Sequence, residues 1–253
     1  MPRISSITIT KNNAVDIGPC LDSLAFCDER IVVDSGSSDD TVAIARAKGA
    51  IVEYHDWIGF GPQKNFAKTL AKGDWILWLD ADERITPALE NEIRRAVATT
   101  DIAGCKISRL STFCGRPMRH SGWHPDYVLR LFRRERGNWS DGIGHDHVIL
   151  EGPVTTIPGV ILHFAVRRLE DSLIRIDRYS TIGAKIMIDK GRRVSFLSGI
   201  TRGLWAFFRG YVLQRGFLDG RLGFVLAVAN AEGTYYRYMK AWLAGAGTRK
   251  RGE

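Results

Sequence analysis

The stretch WILWLDADE, residues 75–83, runs from an unbroken apolar segment into three acidic side chains. A short apolar run of bulky residues reads as a buried strand, and this one delivers Asp80 and Asp82 at its carboxyl end. Side chains two positions apart on an extended chain point to the same side. Two carboxylates so placed can hold a hard divalent cation, Mg2+ or Mn2+, with phosphate oxygens completing the octahedron. Spacing alone leaves a second reading open, an Asp-rich turn leading into a helix that opens at Thr86-Pro87. Glu83 reads as structural.

Upstream of this stretch, short β-rich runs alternate with helix-length amphipathic segments. Strands are expected at Ile4–Thr10, Arg30–Asp34, Ala50–Tyr54 and Trp75–Leu79, and helices at Ala14–Leu24, Asp40–Ala47 and Gln63–Ala71. Ser38 or Asp39 can cap the second helix, and Gly49 and Gly73 stand where helix C-termini belong. Such alternation predicts an α/β fold, a mostly parallel sheet with helices on both faces. Ligands of these sheets bind beyond the carboxyl ends of the strands, which here means Thr10-Lys11, Asp34-Ser35-Gly36 and Asp80-Ala81-Asp82.

Downstream, residues 101–163 break into short strand-like pieces, at Cys105–Leu110, Tyr127–Phe132, Val148–Leu150 and Val160–Phe164, as in the irregular half of an α/β enzyme. Helical periodicity returns at Arg167 and lasts to about Leu243. The expected organisation is a catalytic domain over residues 1–164 and a helical, basic extension over 165–253. Charge divides at the same place. Residues 1–164 carry 19 Lys and Arg against 21 Asp and Glu, whereas residues 165–253 carry 17 against 7, a net +10.

With 45% hydrophobic and 25% charged residues, neither disorder nor a fibrous repeat fits. Cys20, Cys27, Cys105 and Cys114 form no C-x-x-C pair, which suits a reduced, cytoplasmic setting. The N-terminus enters a strand pattern without a signal-peptide apolar core, and no uncharged run reaches the roughly 20 residues that span a bilayer.

Two further motifs are weak singly. VVDSGSSDDT, residues 32–41, sets Asp34 at a strand end before a Gly-Ser-Ser turn, a place for nucleoside donors or for an ordinary Ser/Asp cap. GFGPQKN, residues 59–65, brings Gln63, Lys64 and Asn65 to a helix N-terminus, where backbone N–H groups favour anions.

Taken in order, ITITKNN, VVDSGSSDDT, GFGPQKNFA and DWILWLDADE resemble family 2 glycosyltransferases of the GT-A fold, which is Rossmann-like. SGWHPDYVLRLFRR (121–134), GHDH (144–147), ILHF (161–164) and residues 215–240 extend the likeness to small bacterial lipopolysaccharide-core β-glucosyltransferases acting on inner-core heptose. The resemblance implies that Asp34 contacts the nucleoside, with Thr10, Lys11, Lys64 and Asn65 around the donor. It makes Asp80 and Asp82 the DxD pair, Asp82 the direct metal ligand, and His163 the histidine completing the metal or diphosphate site. Gly122-Trp123 falls in the acceptor loop, and Asp146 takes the place of the catalytic base. Close relatives read His-Glu where this chain reads His145-Asp146, a carboxylate shorter by one methylene. Asp34-Ser35 likewise stands where two adjacent acidic residues are common. The implied activity is inverting, metal-dependent hexosyl transfer, with UDP-glucose as the expected donor and a lipid-linked saccharide as acceptor.

Two other classes are weighed against this one. A nucleotidyltransferase also uses strand-end carboxylates, but the chain lacks its glycine- and arginine-rich phosphate loop. A non-enzymatic basic protein could bind anionic lipid through residues 165–253; nucleic acid is not expected, since nothing resembles a reader module. Phe196, Ile200, Leu204, Phe207, Phe208 and Tyr211 recur at helical spacing, with Ser198, Arg202 and Arg209 opposite and Trp205 at the boundary. Such a stripe suits either a helix lying on the inner face of the bacterial inner membrane or ordinary packing within the domain. Gly199, Gly203 and Gly210 weaken the helix in isolation.

Overall fold

The computed structural model describes residues 2–99, 101–140 and 147–249. The elements run β1 (Ile4–Thr10), α1 (Ala14–Ser23), β2 (Glu29–Asp34), α2 (Thr41–Ala47), β3 (Ile51–Tyr54), α3 (Phe60–Thr69), β4 (Trp75–Trp78), β5 (Glu83–Ile85) and α4 (Pro87–Val97). They continue with β6 (Gly104–Phe113), β7 (Arg116–Pro117), β8 (Asp126–Arg133), β9 (Gly137–Trp139), β10 (Val148–Leu150), β11 (Val154–Val166), α5 (Leu169–Asp189), α6 (Phe196–Phe208) and α7 (Gly220–Arg249). Two compact units result, one of residues 1–110 and 126–163, the other of 111–125 and 164–253. Strands β6 and β11 each begin in the first unit and end in the second.

Among the described residues, nine strands form one sheet in the order β3-β2-β1-β4-β8-β6-β11-β5, with β7 beside β6. Strands β3, β2, β1 and β4 pair in parallel, the half that the strand–helix alternation predicts. Beyond β4 the pairing turns antiparallel through β8 and β6, and β5 pairs antiparallel with β11. Strand β4 shows why its sequence is apolar throughout. Trp75, Leu77 and Leu79 bury in one cluster and Ile76 in another, so both faces of the strand are covered. Each such side chain contributes roughly 1.5–3 kcal/mol.

The register aligns Thr10 with Asp34 and Ile7 with Trp78, which brings the carboxyl ends of β1, β2 and β4 to one edge. Thr86 caps α4 by accepting from the Leu89 amide, with Pro87 in the first turn. Two expectations are corrected. Helix α3 opens at Phe60 rather than Gln63 and ends at Thr69, so Gly73 does not terminate it. Gly73 lies in the turn into β4, where a Cβ would stand 2.8 Å from the Ser5 amide nitrogen and 2.9 Å from the Arg3 carbonyl. Gly49 does follow a helix end, with φ +75°.

In the second unit the continuous helical pattern is broken, at Lys190–Ser195 and again between α6 and α7, by one π turn and one 3-10 turn. Helix α6 meets α7 through glycine. A Cβ at Gly203 would lie 3.2 Å from Tyr235 Cβ, and one at Gly199 would displace the Met239 methyl. The apolar stripe therefore splits. Phe207 and Tyr211 stack at 5.5 Å and meet Phe224 edge-on, whereas Phe196, Leu204 and Phe208 are exposed. Trp205 is 55% exposed and Leu204 67%. No helix among the described residues is long and apolar enough to cross a membrane.

Candidate functional site

The edge where β1, β2 and β4 end holds the sequence-predicted groups of the first unit. Its centre is the turn Asp80-Ala81-Asp82 between β4 and β5. Asp80 and Ala81 are pinned. The Asp80 amide donates to Glu83 Oε2 at 3.1 Å, and the Asp80 carbonyl accepts from the Glu83 amide and from Cys20 Sγ. Burial pushes the Cys20 thiol up to about 12, which keeps it a donor. Arg84 Nη1 donates to the Ala81 carbonyl at 2.7 Å while its Nη2 pairs with Asp16 at 2.9 Å. Ala81 packs against Ile17 and Leu21 of α1.

Charge in the turn is balanced by residues remote in sequence. Arg130 of β8, 1% exposed, pairs with Asp80 Oδ2 at 3.0 Å and with the buried Glu83 carboxylate at 2.5 Å. Arg109 of β6 stands 3.5 Å from Glu83 and bonds Asp126 at 2.7 Å. A buried charge survives only when paired, and Arg130 and Glu83 satisfy that for each other. Burial would raise the Asp80 pKa, but Arg130, then Lys64 and His163, outweigh it and hold the carboxyl below its ordinary value. For Glu83 burial wins over Arg130, aided by the negative charge of Asp80, and its pKa is raised.

Trp78, the last residue of β4, is the platform for both cations. Lys64 Nζ lies 3.9 Å from its ring centroid and the Arg130 guanidinium 3.5 Å, distances of strong cation–π contact. Its indole N–H donates to the Leu129 carbonyl. Two buried guanidinium nitrogens of Arg130, Nε and Nη1, have no hydrogen-bond partner among the described residues.

Antiparallel pairing of β5 with β11 sets His163 opposite Glu83 and so beside the turn. His163 Nε2 is 3.5 Å from Asp82 Oδ2. Among the described residues no three His, Cys, Asp or Glu side chains converge in a metal-binding group. Asp82 and His163 by themselves offer one carboxylate and one imidazole, donor types that Mg2+ or Mn2+ can take when phosphates and water supply the remaining ligands.

The second turn of this edge is built differently. Asp34 Oδ2 accepts from the amides of Gly36 (2.9 Å) and Ser37 (2.8 Å), and Oδ1 accepts from the Ser37 hydroxyl. The turns after β1 and β2 are laced together: Asn12 Oδ1 accepts from the Ser38 amide, the Asn13 amide donates to Thr41 Oγ1, and the Ala14 amide donates to Asp39. Asp39 also accepts from the Thr41 amide, but the N-cap of α2 is Asp40, whose side chain makes no capping bond, so neither Ser38 nor Asp39 holds the expected N-cap position. Thr10 is buried and its hydroxyl accepts from Asn13, whereas Lys11 is exposed. Gln63, fully buried, bonds Ser35 and His55. Asn65 uses both ends of its amide on the Trp139 backbone, at 2.9 Å each.

Thus Thr10, Lys11, Asp34, Lys64, Asn65, Asp80, Asp82 and His163 all lie in the first unit. Trp123 belongs to the second, packed edge-on against Phe113 at 6.0 Å. Asp146 and His145 lie outside the described residues. Arg130, Arg109 and Trp78 were not singled out from the sequence. The available signal was an arginine interrupting the apolar strand VLRLF, since a charge in such a strand must find a buried partner.

Comparison with known proteins bears on the family and the fold. The family model for glycosyl transferase family 2 matches residues 5–155. The lipopolysaccharide core biosynthesis glycosyltransferase LpsC of Rhizobium meliloti (strain 1021) is 30% identical over 256 residues, covering 93% of each chain. A protein of Rickettsia bellii (strain RML369-C), described as an uncharacterized glycosyltransferase, is 31% identical over 253 residues, 94% of this chain and 85% of its own. Among solved structures, the mannosyltransferase PcManGT from Pyrobaculum calidifontis, in complex with GDP-Man and Mn2+, superposes with a TM-score of 0.54. That match is 18% identical and covers 100% of this chain and 81% of the other, a likeness of fold. With the match running through both laced turns and the Asp80–Asp82 turn, the chain belongs to glycosyl transferase family 2 and is a glycosyltransferase.

Proposed function

We propose that the protein is an inverting, metal-dependent hexosyltransferase that moves glucose from UDP-glucose onto an inner-core sugar of lipopolysaccharide in β-linkage. The observation that carries this reading is the pairing of Asp82 with His163 beside an Asp80 held ionised by Arg130. Support for the metal comes also from PcManGT, solved with GDP-Man and Mn2+, and support for the acceptor from the name of LpsC.

Asp82 and His163 would hold the cation, which when bound offsets the charge of the departing diphosphate. Lys64 and Arg130, both against the Trp78 ring, add positive charge near Asp80, where negative charge grows as the nucleotide leaves. Asp34 and the laced turns orient the nucleoside. Asp146 accepts the proton of the attacking hydroxyl as that oxygen bonds to the anomeric carbon, and the bond from that carbon to the diphosphate breaks with its electron pair going to the nucleotide. One in-line displacement converts an α-linked donor to a β-glycoside.

The second unit docks on an anionic membrane face, where a lipid-linked acceptor lies. In support, α6 spends its glycines on α7 and leaves Leu204, Trp205 and Phe208 outward, on a region of net +10. Each basic residue near an anionic surface contributes roughly 1 kcal/mol. The membrane part predicts co-sedimentation with vesicles containing anionic phospholipid, weakened by high salt and by Leu204→Ser/Phe208→Ser; a protein left in the supernatant at low salt would remove it.

The test of the activity is transfer from a panel of nucleotide sugars to lipopolysaccharide inner core with Mn2+ present. UDP-glucose should be used, EDTA should stop the reaction, and Asp146→Asn should slow it by at least about 100-fold, as loss of a general base does. Activity unchanged in EDTA overturns the metal role. Transfer only to another cell-envelope glycan replaces the acceptor assignment within the same fold and chemistry.

A further inference from the structure

The second unit contains a cavity of 520 Å3, inside the range of roughly 300–1,000 Å3 typical of small-ligand sites. It is lined from α5, the π turn after α6, α7 and the segment 121–123, all within that unit. Arg175, Arg209 and Arg237 line it, and no carboxylate does. Among the described residues none of these three arginines has an ion-pair or hydrogen-bond partner for its guanidinium. Like charges gathered on one concave surface repel, and an anion seated among them relieves that repulsion.

Ser121 and Gln214 form the wall beside the arginines, joined by a bond from the Ser121 amide to the Gln214 carbonyl at 3.0 Å. Guanidinium groups match phosphate oxygens in geometry as well as charge. The other lining groups include the Asn230 amide and the Tyr179 ring, neutral surfaces of the kind that hold a sugar ring's hydroxyls and face.

We propose that this cavity binds the phosphate of a phosphorylated saccharide, with Arg175, Arg209 and Arg237 around the phosphate. The inference rests on the transferase reading only in making that saccharide part of the acceptor; the phosphate site itself is tested without turnover.

Calorimetric titration of the full chain with glucose 6-phosphate, glucose and the soluble dihexanoyl phosphatidic acid separates the outcomes. Glucose 6-phosphate should bind and glucose should not. Arg175→Gln/Arg237→Gln should weaken glucose 6-phosphate by more than about tenfold, the scale of losing charge-assisted contacts, while Arg178→Gln/Arg192→Gln, an equal loss of charge at exposed residues outside the cavity, leaves it unchanged. Unaltered thermal unfolding of the variants shows that the fold is intact. Arginine-dependent binding of dihexanoyl phosphatidic acid alone keeps the phosphate site and assigns its source to a phospholipid headgroup. Binding of neither compound, or equal binding by the double variant, overturns the proposal. Loss of transfer with this binding intact would count against the transferase reading alone.

Discussion

Two turns at the same sheet edge hold a carboxylate by opposite means. Asp34 is satisfied by its own chain neighbours, Gly36 and Ser37, within three residues. Asp80 is satisfied by Arg130, fifty positions away, and its turn is braced by Glu83, Arg84 and Cys20. A locally closed turn keeps its shape through its own backbone. A remotely closed one has its shape and charge set by the sheet as a whole, so it positions a reacting group more rigidly and fails more severely when a distant residue changes.

The largest effect tests whether frame and reacting group separate in the Asp80 turn. Among the described residues the Asp82 side chain has no hydrogen bond or ion pair to Arg130, Arg84 or Cys20, its neighbour being His163, so Asp82→Asn should abolish transfer and metal-dependent donor binding while stability changes by less than about 0.5 kcal/mol. Urea unfolding and a transfer assay on one preparation check both halves. Next, Arg130→Met strands the Glu83 charge and frees Asp80, and should cost about 3–5 kcal/mol in chemical denaturation. The contrast breaks down if Arg130→Met is no worse than Asp34→Ala, for which loss of amide contacts to a carboxylate predicts about 1.5–3 kcal/mol.

The smallest effect is on pH dependence. The folded-state pKa of Asp80 is depressed below its ordinary 3.8, so its stabilising contribution is complete above that value and is lost as pH falls through the lowered one. Asp80→Asn should therefore differ from the parent in stability at pH 6, with the gap closing in strong acid. Glu83, with a raised pKa, acts in the opposite sense: the folded state favours its proton, and the cost of its charge disappears on acidification. Equal stability gaps at pH 6 and in strong acid would refute the Asp80 assignment.

The same contrast explains what could be read from sequence. The parallel half was legible because each strand and helix carries its own periodicity, and β1 matched its expected limits of Ile4–Thr10. The Asp34 turn was legible because Gly-Ser-Ser is its own partner set. Arg130 and Arg109 were not, since nothing local tells an arginine in a strand which carboxylate it will meet. The grouping of residues 111–125 with the helices was equally hidden, for it depends on where β6 and β11 end. In α6, periodicity identified an apolar stripe but could not say that glycine would take the packing face.

That packing choice inverts the usual map of mutational tolerance. In most helices the large apolar positions are the fragile ones and the small residues are incidental. Along α6, a saturation screen scored for folding should accept polar residues at Leu197 and Leu204, both exposed, and reject any side chain beyond a methyl at Gly203, where Tyr235 Cβ would stand 3.2 Å from the first added carbon. Residue 199 should tolerate slightly more, because the flexible Met239 side chain can move aside. The outer surface of this helix is thus free to diversify toward whatever it touches, while its inner line can change scarcely at all.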